Sequence, residues 1–250
     1  MSVFRNKVAI VTGGSAGIGR SIALQLASRG AHVLITGRRA GRLEEAAMDH
    51  TNIGSMVADT SKANDAIRTV SQVIERWGRL DLLVNNAGAG ALMNISELNA
   101  NRMVDIFSTN VFGPSLLMKA ALPYLKESCG SVVNISSTYG SKPGAGLSHY
   151  GASKAALEYL TRAWALEFAH IPIRVNAIAV GPTDSEALTG MRGLSAEQAE
   201  GVKEHERAQI PLRRRGSPDE IARWVTILAD ESSSWITGQV VGVDGGLGLI

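Results

Sequence analysis

Seven short apolar, β-branched runs alternate with longer helical patterns along the chain, and that rhythm restricts the fold more than any single motif does. The runs occupy residues 7–12, 31–36, 54–58, 81–84, 131–135, 173–178 and 239–243, and the helical patterns 17–29, 42–49, 62–77, 101–126, 150–169 and 217–228. Runs that are apolar without alternation belong to strands covered on both faces. Strand and helix in alternation specify a doubly wound parallel α/β sheet, here seven-stranded, with helices on both faces. Within 150–169, Leu157, Leu160, Trp164 and Phe168 step by three or four and form the stripe that faces the core. One stretch breaks the rhythm: 184–209 is long, holds Gly190, Gly193 and Gly201, and shows only weak helical patterns. It is expected to be an insertion over the site, a mobile lid.

A chain of 250 residues, 45% hydrophobic and 19% charged, can bury a large core. No linker or low-complexity tract interrupts it, so residues 1–250 are read as one domain. The net charge is +2 and the basic residues are scattered, which argues against a nucleic-acid surface. Arg213-Arg214-Arg215 is the exception, read as a solvated turn. The single cysteine, Cys129, excludes an internal disulfide, and the five histidines show no metal-ligand spacing, so no metal is expected. The opening MSVFRNKVAIVTGG contains no signal-peptide core. No run approaches the ~18 apolar residues of a membrane span. A reducing cytoplasm is the expected compartment.

The first run leads into Thr12-Gly13-Gly14-Ser15-Ala16-Gly17-Ile18-Gly19, after which a helical pattern begins. A glycine-rich turn at the carboxyl end of a strand lets backbone N–H groups and a helix N-terminus approach a pyrophosphate. The place of this turn points to a dinucleotide site in a Rossmann-type sheet. A phosphate-loop NTPase needs a Lys-Ser/Thr pair that is absent here. Glycines also serve tight packing, so the turn alone leaves both readings open.

A second stretch, Ser148-His149-Tyr150-Gly151-Ala152-Ser153-Lys154-Ala155-Ala156, sets a phenol and an ammonium four apart in a helix-favouring run. Positions i and i+4 share one helix face. A fixed cation beside a phenol favours the phenolate and brings it toward proton transfer near neutral pH. An incidental surface pair is the plainer alternative.

Taken in order, TGGSAGIG at 12–19, NNAG at 85–88, Asn110, NISS at 134–137, YGASK at 150–154 and GSPDEIA at 216–222 resemble the short-chain dehydrogenases/reductases (SDR) over nearly the whole chain. Each motif is modest alone, and their shared order makes them specific. The resemblance implies a catalytic tetrad of Asn110, Ser137, Tyr150 and Lys154, with Ser137 chosen over Ser136 because it stands thirteen residues before Tyr150. Tyr150 is then the general acid/base, Lys154 lowers its pKa and holds the nicotinamide ribose, Ser137 steadies the carbonyl oxygen, and Asn110 helps to hold a water next to Lys154.

The implied cofactor is NADP(H), contacted by Gly13, Ser15, Gly17, Ile18, Gly19, Arg38, Asp59, Thr60, Asn86, Ala87, Gly88, Tyr150, Lys154, Thr183 and Ser185. Gly37 stands where NAD-using relatives carry aspartate, and Arg38 follows it; against this, Ala16 lacks the family's frequent basic residue. Val180 stands where proline is usual after the sixth strand, which implies a looser lid hinge. Ser137, Tyr139, Leu147, Tyr150 and Leu188, with His149 and Met191 nearby in sequence, are the candidate substrate contacts and imply a mostly apolar ketone or alcohol.

The expected activity is that of an NADP-dependent carbonyl reductase or secondary alcohol dehydrogenase. A 3-oxoacyl carrier-protein reductase is the rival within catalysis. A non-catalytic NADP-binding regulatory protein is the rival outside it. A homotetramer is implied by the family, with Phe107, Phe112, Tyr159 and the apolar tail 246–250 as contacts.

Overall fold

The computed structural model describes residues 3–185 and 195–250. Its strands are β1 (Val8–Thr12), β2 (His32–Gly37), β3 (Ile53–Val57), β4 (Leu82–Asn85), β5 (Ser131–Ser137), β6 (Arg174–Val180) and β7 (Val240–Val243). Its α-helices are α1 (Gly17–Ser28), α2 (Ala40–Ala47), α3 (Ala63–Trp77), α4 (Ala100–Phe107), α5 (Gly113–Ser128), α6 (Ser148–Glu167), α7 (Ala196–Gln209) and α8 (Pro218–Ala229). All seven expected strands pair in parallel, in the order β3-β2-β1-β4-β5-β6-β7. The chain builds outward from β1 to β3, then returns to lay β4 on the other side of β1. That reversal opens a crevice beyond the carboxyl ends of β1 and β4.

Successive strand residues face opposite sides, so each strand feeds two cores. Ala9, Val11, Val33 and Ile35 pack under Ile22 and Leu26 of α1, Leu43 of α2 and Ile221 and Val225 of α8. Val8, Ile10, Leu34, Val132 and Val175 pack under Val70 and Val73 of α3, Leu117 and Leu125 of α5 and Trp164 of α6. The expected stripe of α6 is the one buried, with Leu160 only partly covered. Among the described residues no helix is long and apolar enough to cross a membrane.

Four details depart from the sequence expectation. The pattern at 101–126 is not one helix: a π-helical turn, Ser108–Phe112, separates α4 from α5 and carries the buried Asn110. Apolar periodicity cannot reveal a one-residue change of hydrogen-bond register. Second, β5 runs on through Ser136 and Ser137, because these hydroxyls find partners that let polar residues complete a buried strand. Third, half of the expected lid is a regular helix, α7, opened by a capping box between Ser195 and Gln198. The lid positions Leu188 and Met191 lie outside the described residues. Fourth, the three consecutive arginines are a solvated turn only in part: Arg213 and Arg214 are exposed, but Arg215 is not. Arg213 adopts φ +57° and donates to the Ala208 carbonyl (2.6 Å), Arg214 forks onto Glu220 at the start of α8 (2.6 and 2.8 Å), and Arg215 is buried.

A polar chain crosses the core between β4, β5 and α6. Asn85 Nδ2 donates to Asn134 Oδ1 (2.8 Å), Asn134 Nδ2 donates to Thr161 Oγ1 (2.9 Å), and Thr161 Oγ1 donates to the Leu157 carbonyl (2.8 Å). Asn134 is fully buried, so it fixes α6 on β5 by groups that have no water to turn to. Asn134→Leu strands the Asn85 amide and is expected to lower the unfolding free energy by roughly 1–3 kcal/mol. Denaturant titration checks this, and an unchanged midpoint would contradict it.

Candidate active site

The crevice holds a cleft of about 460 Å3. Its floor is the glycine turn after β1. Gly13 and Gly17 have φ of +65° and +52°, values that L side chains rarely adopt. A Cβ on Gly19 would sit 2.3 Å from the Gly13 carbonyl oxygen, so the turn can close on α1 only through glycine. The turn after β4 is laced to it. Thr12 Oγ1 accepts from the Asn86 and Ala87 N–H groups (3.0 and 2.9 Å), and Asn86 Nδ2 donates to the Thr12 and Gly13 carbonyls (2.8 and 3.2 Å).

At its N-terminus α1 has no side-chain cap and no acidic residue in its first turn, whereas α7 and α8 both open with capping boxes. Uncapped N–H groups above a bare glycine turn fit a pyrophosphate. Further along, Gly37 leaves the end of β2 without a side chain, and Arg38 and Arg39 both line the cleft with exposed guanidinium groups. Asp59 and Thr60 form the wall opposite. Burial opposes the charge of Asp59, but hydrogen bonds from Ser61 and then the charges of Arg38 and Lys62 hold its carboxyl below the ordinary range.

At the other end α6 delivers Tyr150 and Lys154. Lys154 is buried, donates to the Ile135 carbonyl of β5 (2.8 Å), and sits with its Nζ 5.9 Å from the centre of the Tyr150 ring. Burial lowers its pKa from 10.5 to about 8, against the opposing pull of the Glu158 carboxylate. The pleat of β5 separates its two terminal serines. Ser136 Oγ donates to Glu158 Oε1 (2.7 Å), whereas Ser137 Oγ accepts from the Tyr139 N–H (3.3 Å), which leaves its own O–H to be donated into the cleft it lines. Gly90 passes so close to Tyr150 that a Cβ there would lie 3.2 Å from its ring.

Of the residues singled out in the sequence, Gly13, Ser15, Gly17, Ile18, Gly19, Arg38, Asp59, Thr60, Asn86, Ala87, Gly88, Ser137, Tyr139, Leu147, Tyr150, Lys154, Thr183 and Ser185 all line this one cleft. Asn110 and His149 do not. Asn110 stands behind the wall. Its Oδ1 accepts from the Ala89 N–H (2.8 Å), and its Nδ2 donates to the Ala89 carbonyl and to Ser153 Oγ (2.9 Å each). The amide joins the strand-end loop to α6, so its side chain acts here by position. A Cβ on Gly88 would lie 3.6 Å from Asn110 Oδ1 and 3.7 Å from Lys154 Nζ, which packs these three residues into one joint.

Four residues escaped the sequence reading: Arg39, Glu158, Glu206 and Arg215. Glu158 carried a usable signal, since Tyr150, Lys154 and Glu158 repeat every four residues along one helix face. Burial raises its pKa, countered by the Ser136 hydroxyl and by the charges of Arg162 and Lys154. Glu206 and Arg215 come from α7 and from the segment before α8, and nothing in their spacing announces that they meet.

A doubly wound sheet with an anion-fitting turn and a Tyr-Lys pair in the same crevice defines a dinucleotide-binding α/β protein. A family model described as enoyl-(acyl carrier protein) reductase matches residues 13–248. The chain is 38% identical over 250 residues to the short-chain dehydrogenase/reductase FrzI of Cladobotryum sp, covering 97% of this chain and 96% of that one. Levodione reductase superimposes with a TM-score of 0.91 at 29% identity, covering 98% of this chain and 99% of that one. The 3-ketoacyl-(acyl-carrier-protein) reductase from Brucella melitensis, solved with NADH, superimposes with a TM-score of 0.91 at 30% identity and the same coverage. The chain belongs to the short-chain dehydrogenase/reductase family and is an oxidoreductase of that family.

Lys154 loses its charge as pH rises through about 8 rather than 10.5. The specificity constant kcat/KM for the nicotinamide cofactor, which reports the free enzyme, is therefore expected to fall on the alkaline side with an apparent pKa near about 8. A profile that stays flat until pH approaches 10.5 would contradict the buried ammonium.

Proposed function

We propose that this protein is an NADP-dependent carbonyl reductase that interconverts a ketone and a secondary alcohol. The observation that carries this is the placement of Tyr150, buried Lys154 and Ser137 at one end of the cleft whose other end holds the glycine turn and Arg38. Bound NADPH supplies the hydride. Tyr150 donates its proton to the ketone oxygen in reduction and takes it back in oxidation. Lys154 stabilises the phenolate that donation leaves, and its hydrogen bond to Ile135 holds the ammonium in place. Ser137 offers its hydroxyl to the carbonyl oxygen as charge develops there. Asn110 and Ser153 hold the wall in register with α6.

Tyr139 and Leu147 line the substrate end and favour a largely apolar ketone. In this proposal residues 1–250 act as one domain, 184–209 covers the substrate, and the protein works in the cytoplasm. The exposed Phe112 and Tyr159 and the C-terminal Leu249 and Ile250 are the contacts through which copies associate as a homotetramer.

The second reading, a 3-oxoacyl carrier-protein reductase, is favoured by the likeness to the Brucella enzyme. It is disfavoured by the loops before β5 and β6, where Ser128-Cys129 and His170-Ile171 stand in place of docking lysines or arginines. A ketone panel run beside an acyl carrier-protein substrate separates the two.

Tyr150→Phe removes only the proton donor, so cofactor binding is expected to persist while turnover falls by a factor on the order of 10² or more. Near-normal turnover would refute the assignment. The cofactor preference is tested by kcat/KM for NADPH against NADH with one ketone. Charge-assisted hydrogen bonds of roughly 1.5–3 kcal/mol from Arg38 predict about a 10- to 150-fold preference for NADPH. Arg38→Ala should erode it and Gly37→Asp should reverse it; equal constants in the unaltered protein would overturn the NADP proposal.

A further inference from the structure

Arg215 is the buried guanidinium that the proposed chemistry leaves unused. Its side chain is only 3% exposed, yet it lines the cleft. Its Nε donates to Asp184 Oδ1 (2.7 Å), its Nη2 donates to the Thr183 carbonyl (2.5 Å), and its Nη1 meets the Glu206 carboxylate of α7. Thr183 and Asp184 belong to the turn that leaves β6, and this turn runs parallel to Gly216. The Gly216 N–H donates to the Pro182 carbonyl and the Asp184 N–H to the Gly216 carbonyl, both at 2.9 Å. One side chain thus joins three pieces of chain: the turn after β6, the segment before α8, and the helix over the cleft.

We propose that Arg215 is a positioning residue that clamps the Thr183–Ser185 turn to α7, so that the nicotinamide end of the cleft and the helix above it are held as one body. This rests on Thr183 and Ser185 being cofactor contacts, as proposed above.

A buried ion pair is a poor means of gaining stability, because desolvation consumes most of the attraction and a well-packed apolar pair does as well. What a guanidinium provides and an apolar side chain does not is direction. Its planar fork fixes two acceptors at once and a third from the side. Here those acceptors are a backbone carbonyl and a carboxylate of the turn, and a carboxylate of the helix. Arg214 is the contrast within the same triplet: its fork is taken up by Glu220 at the cap of α8.

The test separates stability from position. NADPH affinity is measured by fluorescence titration, melting temperature on the protein without cofactor, and amide hydrogen exchange on the same sample. Arg215→Met should lower the melting temperature, weaken NADPH binding about tenfold, and raise exchange in both 182–185 and 196–209. The double variant Arg215→Met with Glu206→Leu removes both charges of the buried pair, and the Asp184 carboxylate it leaves is 61% exposed. Its melting temperature should return toward that of the unaltered protein while NADPH binding stays weak, because the guanidinium that joins the turn to α7 is gone.

Recovery of both stability and affinity in the double variant would show a purely structural pair and overturn the proposal. Should Arg215→Met fail to fold, Arg215→Lys keeps the charge without the fork and should still bind NADPH more weakly; unaltered affinity there overturns the clamp. If the unaltered protein binds no NADP(H), the cofactor reading fails by itself. Hydrogen exchange then decides the clamp alone, and unchanged exchange in either segment of a folded Arg215 variant overturns it.

Discussion

A buried ammonium organises the site. Removing a charge from water costs several kcal/mol unless the protein replaces its hydration, so Lys154 restricts everything packed around it. The Ile135 carbonyl accepts a hydrogen bond from it, which sets α6 at one height above the sheet. Glu158, one turn further along α6, balances part of the charge and is held in turn by Ser136. The Asn85–Asn134–Thr161 chain fixes the same helix about two turns beyond Lys154. Tyr150 therefore stands on a helix whose height and rotation are set by polar contacts that cannot slide. Apolar packing alone would tolerate a shift of an ångström that these directional hydrogen bonds do not.

The opposite wall is built from backbone. Where β1 and β4 end side by side, Thr12 and Asn86 satisfy each other's turns, and glycines at 13, 17 and 19 let the chain pass close enough to leave a concave surface of N–H groups. The π-helical turn between α4 and α5 solves a related problem. It turns Asn110 inward, where the amide takes both hydrogen-bonding groups of Ala89 and reaches Ser153 on α6. The two walls of the cleft are thus tied together behind it, and neither can open without breaking buried hydrogen bonds that have no solvent to replace them.

The segment over the cleft is held differently from both walls. Its α7 helix is polar over most of its length and buries Ala199 and Glu206 against the body. Among the described residues, Arg215 adds an ionic connection between this helix and the turn after β6. An ionic contact of this kind holds geometry well and contributes little to overall stability.

The order of strands and helices was legible in the sequence because periodicity and chain direction follow directly from which faces are covered. The glycine turn and the Tyr150–Lys154 pair were legible for the same reason: each lies within one local element, and local geometry fixes what such spacings can do. Gly37 followed by Arg38 was equally local. Ser137 and Asn110 were placed by resemblance, and only the folded chain shows why one serine turns to Glu158 while its neighbour faces the cleft, and why the asparagine amide works from behind the wall. The π turn, the extension of β5 and the burial of Arg215 depend on partners 20 to 30 or more residues away, such as Glu158 for Ser136 and Asp184 for Arg215. No window on the sequence contains both members of such a pair. A triplet of arginines therefore reads as solvent-exposed, which holds for Arg213 and Arg214, and only the fold supplies the carboxylates against which Arg215 is buried.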